Sequence, residues 1–239
     1  MNEILKINNL WGGYKEGVDI LRGISMEVQQ GEAVGIIGLN GSGKSTFGKA
    51  IMNMIPFRKG EIIFEGEDIT TLSTNQLAHR GISIMQQGGK VFPNLSVWDN
   101  LQLAAKGINS QFSIVDSQLA EIIPLLQQPK KELRHLMADK LSGGQKHQLS
   151  LAMALATSPH LIILDEPSAG LSPIAVNELF RILHITKNTL GIGIILIEQN
   201  IAKAIDFCDK SLMLRLGELF VNEHTIMDIS TAEIIMFKR

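Results

Sequence analysis

Cysteine occurs once in this sequence of 239 residues, as Cys208. No intrachain disulfide can form, and a reducing compartment is expected. No pattern supports Cys208 as a nucleophile, so a small buried apolar residue is the expectation there. A basic surplus is also missing: 22 Lys and Arg stand against 24 Asp and Glu, a formal charge of -2. Nucleic-acid binders draw much of their affinity from phosphate contacts, so no nucleic-acid partner is expected. The short basic stretch Lys130, Lys131 and Arg134 reads as the solvated face of a helix rather than a polyanion site. No apolar run nears the ~20 residues that cross a bilayer. The first residues lack the basic, apolar, small-residue order of a secretory leader. A cytoplasmic location is the expectation. Proline and glycine, at 7 and 22 residues, are not in excess, which argues against a long disordered region.

What is present is the balance of an ordered globular chain, 45% hydrophobic and 19% charged, long enough to bury a sizeable core. Strands are expected at 4–8 and 24–28, with Gly12 and Gly13 forming the turn between them, then at 33–37, 61–65 and 82–85. From 88 to 140 strand signals vanish. Helical patterns cover 97–105, 115–126 and 132–137, the second kinked or ended by Pro124. Alternation resumes with a helix at 145–157, a strand at 161–164, a helix at 173–187, a strand at 193–197 and a helix at 201–207. A hairpin at 211–221 turns at Gly217, and a short helix ends the chain. The expected fold is α/β: a mainly parallel sheet with an N-terminal antiparallel β-subdomain and a helical insertion. One domain spans 1–239, with 1–87 and 141–239 as core and 88–140 as the helical part. In such sheets ligands bind beyond the carboxyl ends of the strands.

Gly38-Leu39-Asn40-Gly41-Ser42-Gly43-Lys44-Ser45 matches G-x-x-x-x-G-K-[ST] and lies between an expected strand and an expected helix, the context this phosphate loop requires. Glycine permits backbone conformations in which successive N–H groups point inward as an anion nest. The helix N-terminus behind them adds partial positive charge. Lys44 can then reach the β- and γ-phosphates, and the Ser45 hydroxyl can ligate Mg²⁺. Thr46 completes the ATP-binding set. A second element fits the first: the apolar run 161–164 ends in Asp165, followed by Glu166. A carboxylate at a strand tip beside a phosphate loop can hold Mg²⁺, and the next can orient or deprotonate an attacking water. ATP and Mg²⁺ are the expected cofactors, and the chain is expected to be an ATPase.

Leu141-Ser142-Gly143-Gly144-Gln145 is a second anion-binding device at a helix N-terminus. One nucleotide has no evident need of both. Two copies arranged head to tail would resolve the surplus, each LSGGQ closing over the γ-phosphate held by the other. With the phosphate loop before it and the Asp-Glu pair one helix after it, LSGGQ resembles the signature of ATP-binding cassette (ABC) ATPases, and the match spans essentially the whole chain. That resemblance implies further roles. Tyr14 is placed where such ATPases set an aromatic against adenine, and stacking of that kind tolerates any base. Gln87 is similar to the glutamine that touches Mg²⁺ and the attacking water, with Gln86 as its rival. Residues 168–172 resemble the loop that communicates across the dimer. Most of the family has a histidine where this sequence has Gln199. A glutamine hydrogen-bonds phosphate but cannot become a cation near neutral pH.

Glu198-Gln199-Asn200, the run 165–173 and Val91-Phe92-Pro93 are similar to an ATPase subunit of branched-chain amino acid importers. Gly88-Gly89-Lys90 departs from that branch by carrying a single basic residue. The resemblance implies a second ATPase subunit, the same or related, and transmembrane permease subunits. It also implies a peripheral place on the inner face of the membrane and import of branched-chain amino acids. Importers of urea, amides or another small solute are the alternative. A soluble ABC ATPase acting as a nucleotide switch is the competing class, but such proteins usually carry two cassettes, a coiled-coil insertion or basic extensions. A small-molecule kinase would share the phosphate loop but not LSGGQ.

Overall fold

The computed structural model describes residues 2–106 and 117–220. The expected C-terminal helix, Val221 and the start of the helix expected from 115 lie outside the described residues. The chain opens with two long antiparallel strands, β1 (Glu3–Gly13) and β2 (Leu21–Gln29), followed by the short buried β3 (Ala33–Ile37) and α1 (Lys44–Ile51). Next come β4 (Phe57–Phe64), β5 (Glu67–Asp68), α2 (Thr74–His79) and β6 (Ile82–Met85). Three helices follow: α3 (Val97–Lys106), α4 (Ser117–Ile122) and α5 (Lys130–His135). The last third alternates through α6 (Gly143–Leu155), β7 (Leu161–Asp165), α7 (Pro173–Leu190), β8 (Gly193–Glu198) and α8 (Ile201–Phe207), ending in β9 (Lys210–Arg215) and β10 (Glu218–Phe220).

The strands sort by pattern. β3, β7 and β8 are buried at every position, as strands covered on both faces must be. They form the centre of a six-stranded sheet ordered β10-β9-β3-β8-β7-β6, parallel except at the β9–β10 pair. β2 alternates buried and exposed residues and joins a four-stranded antiparallel sheet ordered β2-β1-β4-β5. Alternate residues of the parallel strands face two cores. Ile37, Leu164 and Leu196 pack with Leu101, Leu149 and Phe180 of the helices. Ile36, Ile163 and Ile197 pack with Phe47 and Ile51 of α1 and with Leu5 and Ile7 of the antiparallel sheet. Among the described residues between β6 and α6, all regular structure is helical apart from one bridge between Ser96 and Met137. Pro124 ends α4 and opens a 3-10 turn over Pro124–Gln127.

Gly12 and Gly13 correct the sequence expectation. They are not the turn but the last residues of β1, Gly12 opposite Leu21 and Gly13 opposite Phe57. The bend comes later, closed by the Val18 N–H donating to the Lys15 carbonyl. The reason is crowding: a Cβ on Gly13 would lie 2.2 Å from the Val18 carbonyl oxygen. Gly13 lets the turn fold back onto its own strand, and Gly12 lets β4 approach, since a Cβ there would lie 2.8 Å from the Phe57 carbonyl oxygen.

Asp209 anchors the start of β3 from the far end of the chain. Its Oδ2 accepts the Ala33 N–H at 2.8 Å, and its Oδ1 accepts from Lys187 Nζ at 2.7 Å. Burial opposes ionisation, but the Ala33 N–H and Lys187 outweigh it and hold the carboxyl below the usual range. A group depressed in the fold contributes stability above its unfolded pKa and loses it as pH falls through the folded value. Asp209→Ala is expected to cost about 1 kcal/mol in urea unfolding at neutral pH. That difference should fade below about pH 4.

Candidate nucleotide site

Because β3, β8, β7 and β6 are parallel neighbours, their carboxyl ends lie side by side and deliver four segments to one edge of the sheet. The loop after β3 is the phosphate loop. Gly43 caps α1 in the left-handed region at φ 106°. The cap has no side-chain hydrogen bond and the first turn no acidic residue, so no side chain caps its first N–H donors, an arrangement that suits an anion. Lys44 is buried, and its Nζ donates to the Gly38 carbonyl at 2.9 Å and the Leu39 carbonyl at 3.1 Å. Burial pushes its ammonium pKa down, while Glu166 and then Asp165 pull it back up.

The end of β7 supplies the carboxylates. Ser45 Oγ donates to Asp165 Oδ1 at 2.8 Å. Burial raises the Asp165 carboxyl above the usual range, with the Ser45 hydrogen bond opposing. Glu166 follows with φ 46°, a left-handed conformation that a residue with a Cβ adopts only under constraint. Its N–H donates to the Ile197 carbonyl at 2.9 Å, and its carbonyl accepts from Ala169 N–H at 3.1 Å. This bend holds the carboxylate 3.7 Å from Lys44 Nζ.

Two amides then grip that carboxylate. Gln87, after β6, donates from Nε2 to Glu166 Oε2 at 2.7 Å. Gln199, after β8, donates from Nε2 to Oε1 at 2.5 Å. A carboxylate offers only acceptors, which fixes the amide orientation of both glutamines. Lys44, Ser45, Asp165, Glu166, Gln87 and Gln199 therefore meet in one cluster. Thr46 is buried in the first turn of α1, while Leu39, Asn40 and Gly41 are exposed at the loop's crest. Tyr14 is exposed in the loop between β1 and β2.

Ser142 caps α6, its Oγ accepting the Gln145 N–H at 3.3 Å while Gln145 Oε1 accepts the Ser142 N–H at 2.9 Å. This capping box leaves Ser142 and Gly143 exposed at the head of a 13-residue helix, with Leu141 buried beneath. Arg134 is occupied by an aromatic partner, its guanidinium 5.0 Å from the Trp98 ring centroid. Burial pushes the Cys208 thiol pKa well up, which removes it as a nucleophile.

Ser42 stands at a variable position of the phosphate loop, and Gly217 outside every motif. Ser42 Oγ is buried without a hydrogen-bond partner among the described residues. Gly217, read from sequence only as a hairpin turn, braces the phosphate loop from behind. Its N–H donates to the Ser42 carbonyl at 3.0 Å, and its carbonyl accepts the Arg22 N–H at 2.8 Å. With φ 86° and a hypothetical Cβ 2.0 Å from the Ile20 carbonyl oxygen, only glycine fits.

The residues fit a nucleotide triphosphate with a hard cation. A buried ammonium, an orphaned buried hydroxyl and a helix N-terminus suit phosphate. The paired Ser45 and Asp165 oxygens suit magnesium. Among the described residues no group of three His, Cys, Asp or Glu could hold a metal by itself. Phosphate oxygens would have to complete such a shell, as magnesium sites commonly arrange.

The comparisons agree. The family model described as ABC transporter matches residues 21–169. The lipopolysaccharide export system ATP-binding protein LptB of Escherichia coli K12 is 32% identical over 218 residues, covering 91% of this chain and 89% of that protein. The high-affinity branched-chain amino acid transport ATP-binding protein BraG of Pseudomonas aeruginosa is 30% identical over 211 residues, covering 88% of each. The ADP conformation of MJ1267, an ATP-binding cassette of an ABC transporter, superposes with a TM-score of 0.76 at 27% identity over 100% of both chains. The chain belongs to the ABC transporter family, as an ATP-binding subunit that hydrolyses ATP.

Proposed function

We propose that this subunit works as a head-to-tail pair which ATP closes and hydrolysis reopens, driving permease subunits at the inner face of the membrane. Lys44 and the N–H groups of the loop and α1 bind the β- and γ-phosphates, and Tyr14 stacks on the base. Ser45, Asp165 and Gln87 would hold magnesium, which supplies charge neutralisation on the transferred phosphoryl group. Glu166 orients the attacking water and takes its proton. Gln87 and Gln199 hold the Glu166 carboxylate in register, and Leu141–Gln145 of the second copy covers the γ-phosphate. The observation that carries this reading is the single carboxylate gripped by Gln87 and Gln199 beside Lys44 and the Ser45–Asp165 pair. The segment 88–140 would pass the motion to the permease.

Gln199 gives the reading a pH signature. A neutral amide has no proton to lose between pH 5 and 8. The rate of ATP hydrolysis should therefore show no limb from this position. Gln199→His should keep hydrolysis within about tenfold and add a limb near pH ~6.5. Complete loss in the variant would count against a simple hydrogen-bonding role.

For the cargo, we propose branched-chain amino acids. The support is the Glu198-Gln199-Asn200 stretch and the similarity to BraG. The similarity to LptB supports a second reading, lipopolysaccharide export. Deleting the gene in its host separates them. Loss of labelled leucine uptake with an intact cell surface supports the importer, whereas normal uptake with an outer-surface glycolipid defect supports export. Urea and amide uptake, measured alongside, covers the remaining importers.

A further inference from the structure

Glu198 ends β8 and is only 2% exposed, yet it touches neither phosphate-loop residue nor lysine by hydrogen bond. The hydrogen bonds it accepts come from backbone. Oε1 accepts the Ser168 N–H at 3.1 Å, and Oε2 accepts the Gln199 N–H at 3.0 Å and the Asn200 N–H at 3.3 Å. A buried carboxylate without a cationic partner is costly. Three N–H donors offset that cost, and a residue chosen only for packing would be apolar, as Ile194–Ile197 before it are.

The donors flank Glu166 on both sides. Ser168 lies two residues beyond Glu166, in the segment whose left-handed bend at φ 46° aims the carboxylate. Gln199 carries the amide that reaches Glu166 Oε1 at 2.5 Å. The chain of contacts runs from Glu198 to the backbone of the Gln199 turn, through the Gln199 side chain, to the proposed base. A second arm runs through Ser168 and the Glu166 backbone. Asn200 Oδ1 caps α8 by accepting the Lys203 N–H at 3.2 Å, so this turn is also fixed from its other end.

We propose that Glu198 is a positioning residue for hydrolysis: its carboxylate ties the turn bearing Gln199 to the loop after Glu166 and so sets where the Glu166 carboxylate stands. The proposal rests on the reading of Glu166 as the base. A glutamine at 198 keeps the shape but turns one acceptor into a donor, which must then face an N–H. One of the two arms is lost. ATP binding through Lys44 and the loop should change little, because Glu198 makes no hydrogen bond there and acts on the Lys44 ammonium only through space, less than Glu166 and Asp165 do.

The test is a double-mutant cycle on the full chain, with ATP affinity measured by calorimetry and hydrolysis by phosphate release. Glu198→Gln should lower kcat about tenfold, and Gln199→Ala by a comparable factor, each with ATP affinity little changed. The double variant should be no more than about twofold slower than the slower single, because both remove one arrangement. Losses that multiply would overturn the proposal, as would ATP affinity falling in step with kcat or a Glu198→Gln enzyme as fast as the parent. If Glu198→Gln does not fold, Glu198→Asp enters the same cycle, since it keeps the charge but cannot span both arms. Glu166→Gln is assayed in parallel. An unchanged rate there sinks the base assignment itself, whereas multiplying losses beside an inactive Glu166→Gln sink only the role of Glu198.

Discussion

Glutamine in place of Glu166 should lower kcat for ATP hydrolysis by ~10²- to 10⁴-fold, the usual contribution of a positioned general base, with ATP affinity largely retained. The substitution keeps volume and removes the charge that would draw a proton from water. The site already contains the partners that would notice. Gln87 and Gln199 each present an amide to Glu166, and a glutamine there can accept from only one without a flip. Lys44 Nζ, 3.7 Å from the carboxylate, loses its nearest counter-charge, which leaves the ammonium freer to meet phosphate. Nucleotide binding should therefore persist, and the variant should accumulate the ATP-bound state. Phosphate release and calorimetry with magnesium check both halves. Hydrolysis at the parent's rate would remove Glu166 from the mechanism.

Lys44→Ala should be the more severe change for binding. Hydrogen bonds to charged groups contribute about 1.5–3 kcal/mol each, so losing the ammonium should weaken ATP association by at least ~10-fold, and by ~100-fold if both phosphates are contacted. Hydrolysis should become undetectable. A second effect accompanies this. Asp165, Glu166 and Glu198 are all buried at this edge of the sheet, and Lys44 is the cation that pairs with Glu166. Removing it leaves that carboxylate uncompensated, so the variant should also unfold more readily. Circular dichroism melts, read beside calorimetry, separate lost affinity from lost fold. An alanine variant that binds ATP as the parent does would dismantle the phosphate-site assignment.

The features legible in the sequence are those whose cause is local. β3, β6 and α8 fall where apolar runs and their boundaries put them, because a buried strand or helix face is written within its own few residues. Likewise, Ser142 and Gln145 make their capping box within four residues of chain. Gly12 and Gly13 show the limit. Two adjacent glycines suggest a turn, but here Gly13 serves a close approach by Val18 five positions on and Gly12 one by Phe57 of β4, neither of which composition encodes. Glu198 is less legible still. It ends an apolar run just as Asp165 does, and its residue type carries no further sign of its role. Its partners, however, are backbone N–H groups at 168, 199 and 200, and backbone donors leave no trace in residue type. Ser42 and Gly217 share that obscurity, since their link is a main-chain bond between segments 175 residues apart in sequence.

Gly217 has a consequence for which ligands fit. One peptide unit ties the Ser42 carbonyl on one side, and the Arg22 amide answers the adjoining carbonyl. The loop that would meet phosphates and the strand just beyond Tyr14 are thus bolted to the same point. If Tyr14 stacks on the base as proposed, the span from its strand to the anion nest is set by main chain rather than by side-chain choice. Such a site would act as a ruler: it would measure how far a charged tail extends from its aromatic head and be indifferent to much of the head's decoration.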